Sequence, residues 1–215
     1  MSAAREEILR RIRGALDDVP AGETAADVAV ARDYRHGRDL GGSVLVDLLA
    51  ERVADYAAQV RRVAAPQLGD AVSTACADMG LGRVVVPPGL PEAWRPRGVE
   101  LLEDEGLSAT ELDAVDGAVT GCSVAIAETG TLVLDGSPIC GRRILTLVPD
   151  HHICIVLAGQ VVQIVPEAIA AVAPAVRERR RPITLVSGPS ASSDIELERV
   201  EGVHGPRHLL VLIAD

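Results

Sequence analysis

Residues 149–167 read Pro-Asp-His-His-Ile-Cys-Ile-Val-Leu-Ala-Gly-Gln-Val-Val-Gln-Ile-Val-Pro-Glu. The run Ile153 to Ala158 has strand composition, Gly159-Gln160 marks a turn, and Val161 to Val165 reads as a further strand. Pro166-Glu167 then opens a helix, since proline suits a first helical position where its missing N–H costs nothing. Strand, turn, strand and helix in nineteen residues point to a layered α/β domain. Upstream the pattern repeats. Ser43 is placed to cap a helix running to about Ala58, Val60 to Ala64 is a short strand, and Leu68 to Met79 is a helix that Gly80 can end. Val84 to Val86 is a buried strand stopped by Pro87-Pro88, and Val99 to Leu102 is another. Ser108 and Glu111 have capping-box spacing at the start of a short helix. Ala118 to Thr120 reads as strand, Val124 to Thr129 as a turn of helix ending at Gly130, and Thr131 to Asp135 as strand. Arg142 to Leu147 is apolar and ambiguous. Downstream, Pro174 is expected to break or kink the helix begun at Pro166, and the basic run Arg177 to Arg181 suits a helix C-terminus. Ile183 to Val186 and Leu209 to Ile213 complete the strands. The expected fold class is α/β, with a central mixed, mostly parallel sheet flanked by helices.

The first 42 residues differ. Ile8, Ile12, Ala15 and Leu16 fall at helical spacing within residues 5–17, and a charged, glycine-containing stretch from Asp18 to Gly42 follows. The expected organisation is an N-terminal helix and extended arm over 1–42 and one α/β domain over 43–215. The arm either docks on a neighbouring surface or frays.

Composition removes several function classes. The chain of 215 residues has a formal net charge of −10 and is 48% hydrophobic, yet it holds one Trp, two Tyr and no Phe. An acidic surface without aromatic platforms argues against nucleic-acid binding. There is no Lys, so Schiff-base chemistry and a lysine-bearing phosphate loop are both out. Cys76, Cys122, Cys140 and Cys154 form no Cys-x-x-Cys pair and lie in or beside apolar segments, which reads as reduced core thiols rather than metal ligands. No metal is assigned. The charged start of the chain lacks a secretory pattern and no run approaches a membrane span, so a cytoplasmic protein is expected.

Polar residues gather at strand ends in three clusters, and in an open α/β sheet ligands sit at the carboxyl ends of strands. In the first, Glu128 precedes Thr129, Gly130 and Thr131. Its carboxylate is placed to act as nucleophile, base or anchor, or simply to fix the turn. In the second, Asp150, His151 and His152 precede a strand. Adjacent residues of an extended chain face opposite ways, so one histidine is expected in a cleft and the other buried. In the third, Ser187, Gly188 and Ser190 form a turn suited to an anion. Asp194 and Glu196 follow, then His204, Gly205 and Arg207, whose planar fork suits a substrate carboxylate or an ion pair to Asp194 or Glu196. The expected site is one pocket joining these tips, with Glu128, His152 and His204 as candidate catalytic groups and the others binding substrate.

Taken in order, Ala125-Ile126-Ala127-Glu128-Thr129-Gly130-Thr131, Pro149-Asp150-His151-His152, Ser187-Gly188-Pro189-Ser190 with Asp194-Ile195-Glu196, and Gly202-Val203-His204-Gly205-Pro206-Arg207 resemble the LUD domain of the lactate-utilisation protein C family. The likeness covers roughly residues 43–215. It implies a fold similar to sugar-phosphate isomerases and CoA transferases. It also implies a part in oxidising L-lactate to pyruvate beside iron–sulfur subunits, with the clusters carried by those partners and no cofactor in this chain. A small carboxylate is the implied ligand. CoA transferases place a catalytic glutamate before Asn-Gly; here Glu128 precedes Thr129-Gly130. Two other readings stay open: a stand-alone transferase or isomerase, and a module that senses a hydroxy acid.

Overall fold

The structure is a computed structural model, and it describes residues 3–20, 22–24, 26–27, 29–37, 40–189, 191–192, 200–201 and 205–215. The chain divides into two compact units, Met1–Arg35 and His36–Asp215. In the first, helix α1 (Ala3–Ala15) buries none of its residues. Its apolar stripe, Ile8, Ile12 and the following Leu16, is about half exposed, and Glu7 pairs with Arg10 and Arg11 on the polar side.

The second unit is built on a six-stranded sheet in the order β1 (Gln59–Val63), β12 (His208–Ala214), β7 (His151–Leu157), β4 (Gly117–Gly121), β2 (Arg83–Val86), β3 (Glu100–Glu103). Every pairing is parallel. A parallel sheet is covered on both faces, so its central strands read as unbroken apolar runs. Strand β7 shows how the run is divided. Ile153 and Ile155 pack with Leu68, Val72, Ala75 and Cys76 of α3 (Leu68–Asp78), whereas Cys154 and Val156 pack with Val46, Leu49 and Val53 of α2 (Gly42–Asp55). Strand β12 splits its residues in the same way.

Antiparallel pairing is confined to other sheets. Four strands run in the order β8 (Val161–Val162), β5 (Val124–Ile126), β6 (Thr131–Leu134), β9 (Thr184–Val186). The β5–β6 and β6–β9 pairs are antiparallel and β5–β8 is parallel. One face of this second sheet (Ala125, Leu132, Leu134) joins the core under α2. The other (Val124, Ile126, Val133) packs on Ala168 and Val172 of α5 (Val165–Arg179). A two-stranded antiparallel pair, β10 (Ala191–Ser192) with β11 (Val200–Glu201), forms a third sheet. The remaining helix, α4 (Ala109–Asp113), opens on the expected capping box: Glu111 N–H donates to Ser108 Oγ and Ser108 N–H to Glu111 Oε2 at 2.8 Å.

Four local expectations are corrected. Residues 124–126 are strand, not a helical turn: their amides serve cross-strand pairs, and Ala127 N–H donates to Val162 O. The chain turns at Gly130, whose φ of +57° suits glycine, and a Cβ there would stand 2.6 Å from the backbone of Arg52. Strand β8 stops after two residues because the amides of Gln163 and Ile164 donate to Glu167 Oε2 at the start of α5. Ser43 does not cap α2, whose N-cap is Gly41. Pro174 lies inside α5 without ending it. It faces solvent, where the carbonyl it leaves unpaired can be hydrated.

Candidate functional site

Asp150 to His152 and Gly205 to Arg207 meet the main sheet at its amino edge, not the carboxyl edge expected, whereas Glu128 and Ser187 follow β5 and β9 of the second sheet. His151 begins β7, His208 begins β12, and Asp116 immediately precedes β4. The strands are parallel and these residues precede them, so they share that edge. Two cavities open there, on opposite faces of β7.

The first, of about 540 Å³, is lined by Leu81, Asp113, Asp116, Asp150, His151, Gly205 and Arg207 among others. The His151 and His208 rings stack with centroids 4.5 Å apart and planes inclined by 22°, a packing that flat imidazoles favour. His151 Nδ1 lies 3.1 Å from Asp116 O. The Asp116 carboxylate accepts the N–H groups of Gly82 (2.7 Å) and Arg83 (2.8 Å), tying β2 to β4. Arg207 Nη1 stands 3.5 Å from Asp150 Oδ2, and both side chains are well exposed.

The second cavity, of about 200 Å³, lies between the amino end of the main sheet, the end of β9 and the 3-10 turn Arg143–Thr146. His152 points into it from β7 and is 1% exposed. Its Nε2 shares a 2.8 Å hydrogen bond with Thr120 Oγ1, itself fully buried. Burial first, and the nearby Arg143 charge second, lower the His152 pKa to about 3, so the ring is neutral at physiological pH. A neutral imidazole of such low basicity is a poor proton acceptor and a good hydrogen-bonding wall.

Opposite stands Arg143, half-buried. Its Nη1 donates to Thr146 O and Thr146 Oγ1, both at 2.6 Å. Burial lowers the guanidinium pKa, and no described carboxylate offsets its charge. The other arginines of this region are paired. Arg142 donates through Nε to Asp104 Oδ2 at 2.7 Å, and Arg181 lies 3.5 Å from Asp135, around a third cavity of about 360 Å³ at the carboxyl-edge loops.

Ser187 also lines the second cavity, and from it a line of hydroxyls runs inward: Ser187 Oγ to Thr131 Oγ1 at 2.8 Å, then Thr131 Oγ1 to Thr129 Oγ1 at 2.7 Å. Gly188, with φ +84°, presses against Tyr56, where a Cβ would sit 2.5 Å from the Tyr56 Cβ; this close approach holds the 187–189 turn in place.

The structure thus gathers His152, Ser187, Gly188 and Gly205 around one cavity, with Thr131 and Thr129 behind Ser187. It puts Asp150, His151 and Arg207 in the other, and Gly205 borders both. Glu128 lines neither; its N–H donates to Gln163 O beyond the β5–β6 turn at Gly130. Ser190, Asp194, Glu196 and His204 lie outside the described residues. Arg143 and Thr146 were missed. The one signal was a charged pair, Arg142-Arg143, entering an apolar segment.

A model of the LUD domain matches residues 97–214. A protein of Deinococcus radiodurans named lactate utilization protein C is 51% identical over 164 residues, 76% of each chain. This chain belongs to the LUD domain family. Its LUD domain supplies every residue of the second cavity. Another lactate utilization protein C, from Shouchella clausii, is 31% identical over 64% of this chain and 58% of its own length. The crystal structure of a DUF162 family protein from Deinococcus radiodurans superposes with a TM-score of 0.72 at 40% identity, covering 82% of this chain and all of that one. Among the described residues no helix is long and apolar enough to cross a membrane.

Proposed function

We propose that this LUD domain protein serves lactate utilisation as the cluster-free member of an assembly that oxidises L-lactate to pyruvate. The oxidation releases two electrons and two protons, and iron–sulfur subunits of the assembly take the electrons. The relatives named lactate utilization protein C support the role in lactate use. The observation that carries the cluster-free part is the state of the thiols. Clusters are held by thiolates, whereas all four cysteines here are free and buried. Burial pushes the Cys76 thiol up to about 11. A hydrogen bond with Cys154, then burial, raises Cys122, and burial raises Cys140. Among the described residues, no three His, Cys, Asp or Glu side chains are grouped to hold a metal. These donors do not fit a cluster, and electron carriage falls to partners.

The test is affinity capture of the full chain from native extract, followed by lactate-dependent dye reduction. The reading expects cysteine-rich, cluster-bearing proteins to be captured, activity in the captured assembly, and none in the chain alone. Dye reduction by the purified chain without partners would overturn it.

A further inference from the structure

We propose that the cavity between β7, β9 and the 143–146 turn binds a small monocarboxylate of the 2-hydroxy or 2-oxo acid class, with Arg143 as its anchor. The choice of acid deepens the lactate reading and rests on it; the anion site stands on geometry alone.

Four observations converge. The Arg143 head is pinned through Nη1 alone, by the carbonyl and hydroxyl of Thr146. Its Nε and Nη2 donate to no described residue, and together they form the edge that meets a carboxylate with two parallel hydrogen bonds. The charge is half-buried and no described carboxylate offsets it, which is costly until an anion arrives. Arg142, next in sequence, and Arg181, which lines a neighbouring cavity with it, each have a carboxylate already. The walls are chemically sorted. Leu185, Val186 and Leu209 give an apolar side for a short alkyl group, while Ser187 and His152 give hydrogen-bonding groups for a 2-hydroxyl or 2-oxo oxygen. Neutral His152 adds no second positive charge, so the site suits one negative charge rather than two. Finally, the space is small. About 200 Å³ holds roughly six waters at ~30 Å³ each, enough for a three- or four-carbon acid. Arg143 and Thr146 also wall a separate pocket of about 20 Å³, too small to take the rest of a longer chain.

Isothermal titration of the full chain tests this with L-lactate, pyruvate, acetate and inorganic phosphate as probes. Lactate and pyruvate should bind more tightly than acetate, and phosphate should neither bind nor compete. Arg143→Met should weaken lactate binding by about tenfold or more, and Arg143→Lys, which keeps the charge but not the fork, by less. Ser187→Ala should narrow the gap between lactate and acetate without abolishing either; its hydroxyl lies at the cavity wall, so this variant reads the site even if Arg143→Met perturbs the turn. Far-UV circular dichroism checks each fold. No heat with any carboxylate, tighter binding of phosphate, or full binding by Arg143→Met would overturn the site. If acetate binds at Arg143 as tightly as lactate, the anchor stands and the hydroxy-acid assignment falls. Capture of cluster-bearing partners tests the lactate reading separately.

Discussion

At the amino end of β7 the two faces of one strand carry the same side chain in opposite surroundings. His151 borders a wide cavity lined by three aspartates, Asp113, Asp116 and Asp150, and stacks on His208. His152 borders a cavity less than half as large, is 1% exposed, and meets Thr120 on one side and the Arg143 charge on another. The first cavity is acidic at its rim, and the one described arginine lining it, Arg207, is exposed and paired. Among the described residues, the second has one half-buried cation, Arg143, that no carboxylate meets. A strand's period of two turned one His-His pair into two environments, so neighbours in sequence need not share a function. A charge weighs more the less water it sees. This favours the smaller cavity as the selective one.

The comparison breaks most sharply on truncation. His152→Ala should cost about 2–4 kcal/mol in urea unfolding, because it leaves both a cavity and an unpaired Thr120 hydroxyl in a dry site. His151→Ala should cost no more than about 1.5 kcal/mol, the worth of an edge stack. Equal losses would mean that the two faces are equally dry and that the contrast is wrong.

A second separation lies in pH. The folded pKa of His152, about 3, is below the ordinary histidine value of 6.5, so between those values the unfolded chain binds the extra proton. Stability is therefore full above about pH 6.5 and falls as pH drops toward 3, by up to about 1.4 kcal/mol per pH unit. Asp104 works in a lower window. Its carboxyl is held down chiefly by Arg142, so its contribution is present above its unfolded pKa and is lost as pH falls through the folded value. Urea midpoints at pH 7.5, 6 and 5 should decline in the parent, and the decline should be much reduced in His152→Gln. A parent whose midpoint is flat over that range would remove the buried neutral imidazole from the account.

Much of this frame could be read from residues in order. The apolar runs of β7 and β12, the Ser108–Glu111 box, Gly80 after α3 and Pro166 in the first turn of α5 all act locally, and each is found near its expected place. So is the opposed pointing of His151 and His152. The edge was legible too: Pro149 to His152 precedes its strand, which puts it at the amino end in any parallel sheet. Residues 124–129 were misread because a short apolar run has the same composition in helix and strand, and only pairing with β6 and β8 decides. Arg143 was out of reach for a similar reason. Adjacent Arg142 and Arg143 are the same residue type, and what separates them is Asp104, 38 positions away, which takes one and not the other.

The smallest effect sharpens the comparison from its weak side. Arg207 and Asp150 are 3.5 Å apart, with side chains 60% and 44% exposed. Water competes for both groups, holding two long side chains together costs entropy, and at 0.15 M salt the attraction is screened within about 8 Å. Arg207→Ala should therefore lower stability by less than about 1 kcal/mol, and the loss should shrink further in 0.5 M salt. Lactate titration of the same variant should match the parent, because Arg207 lines the other cavity. A large loss of binding in Arg207→Ala would move the carboxylate to the His151 face and invert the assignment of the two cavities.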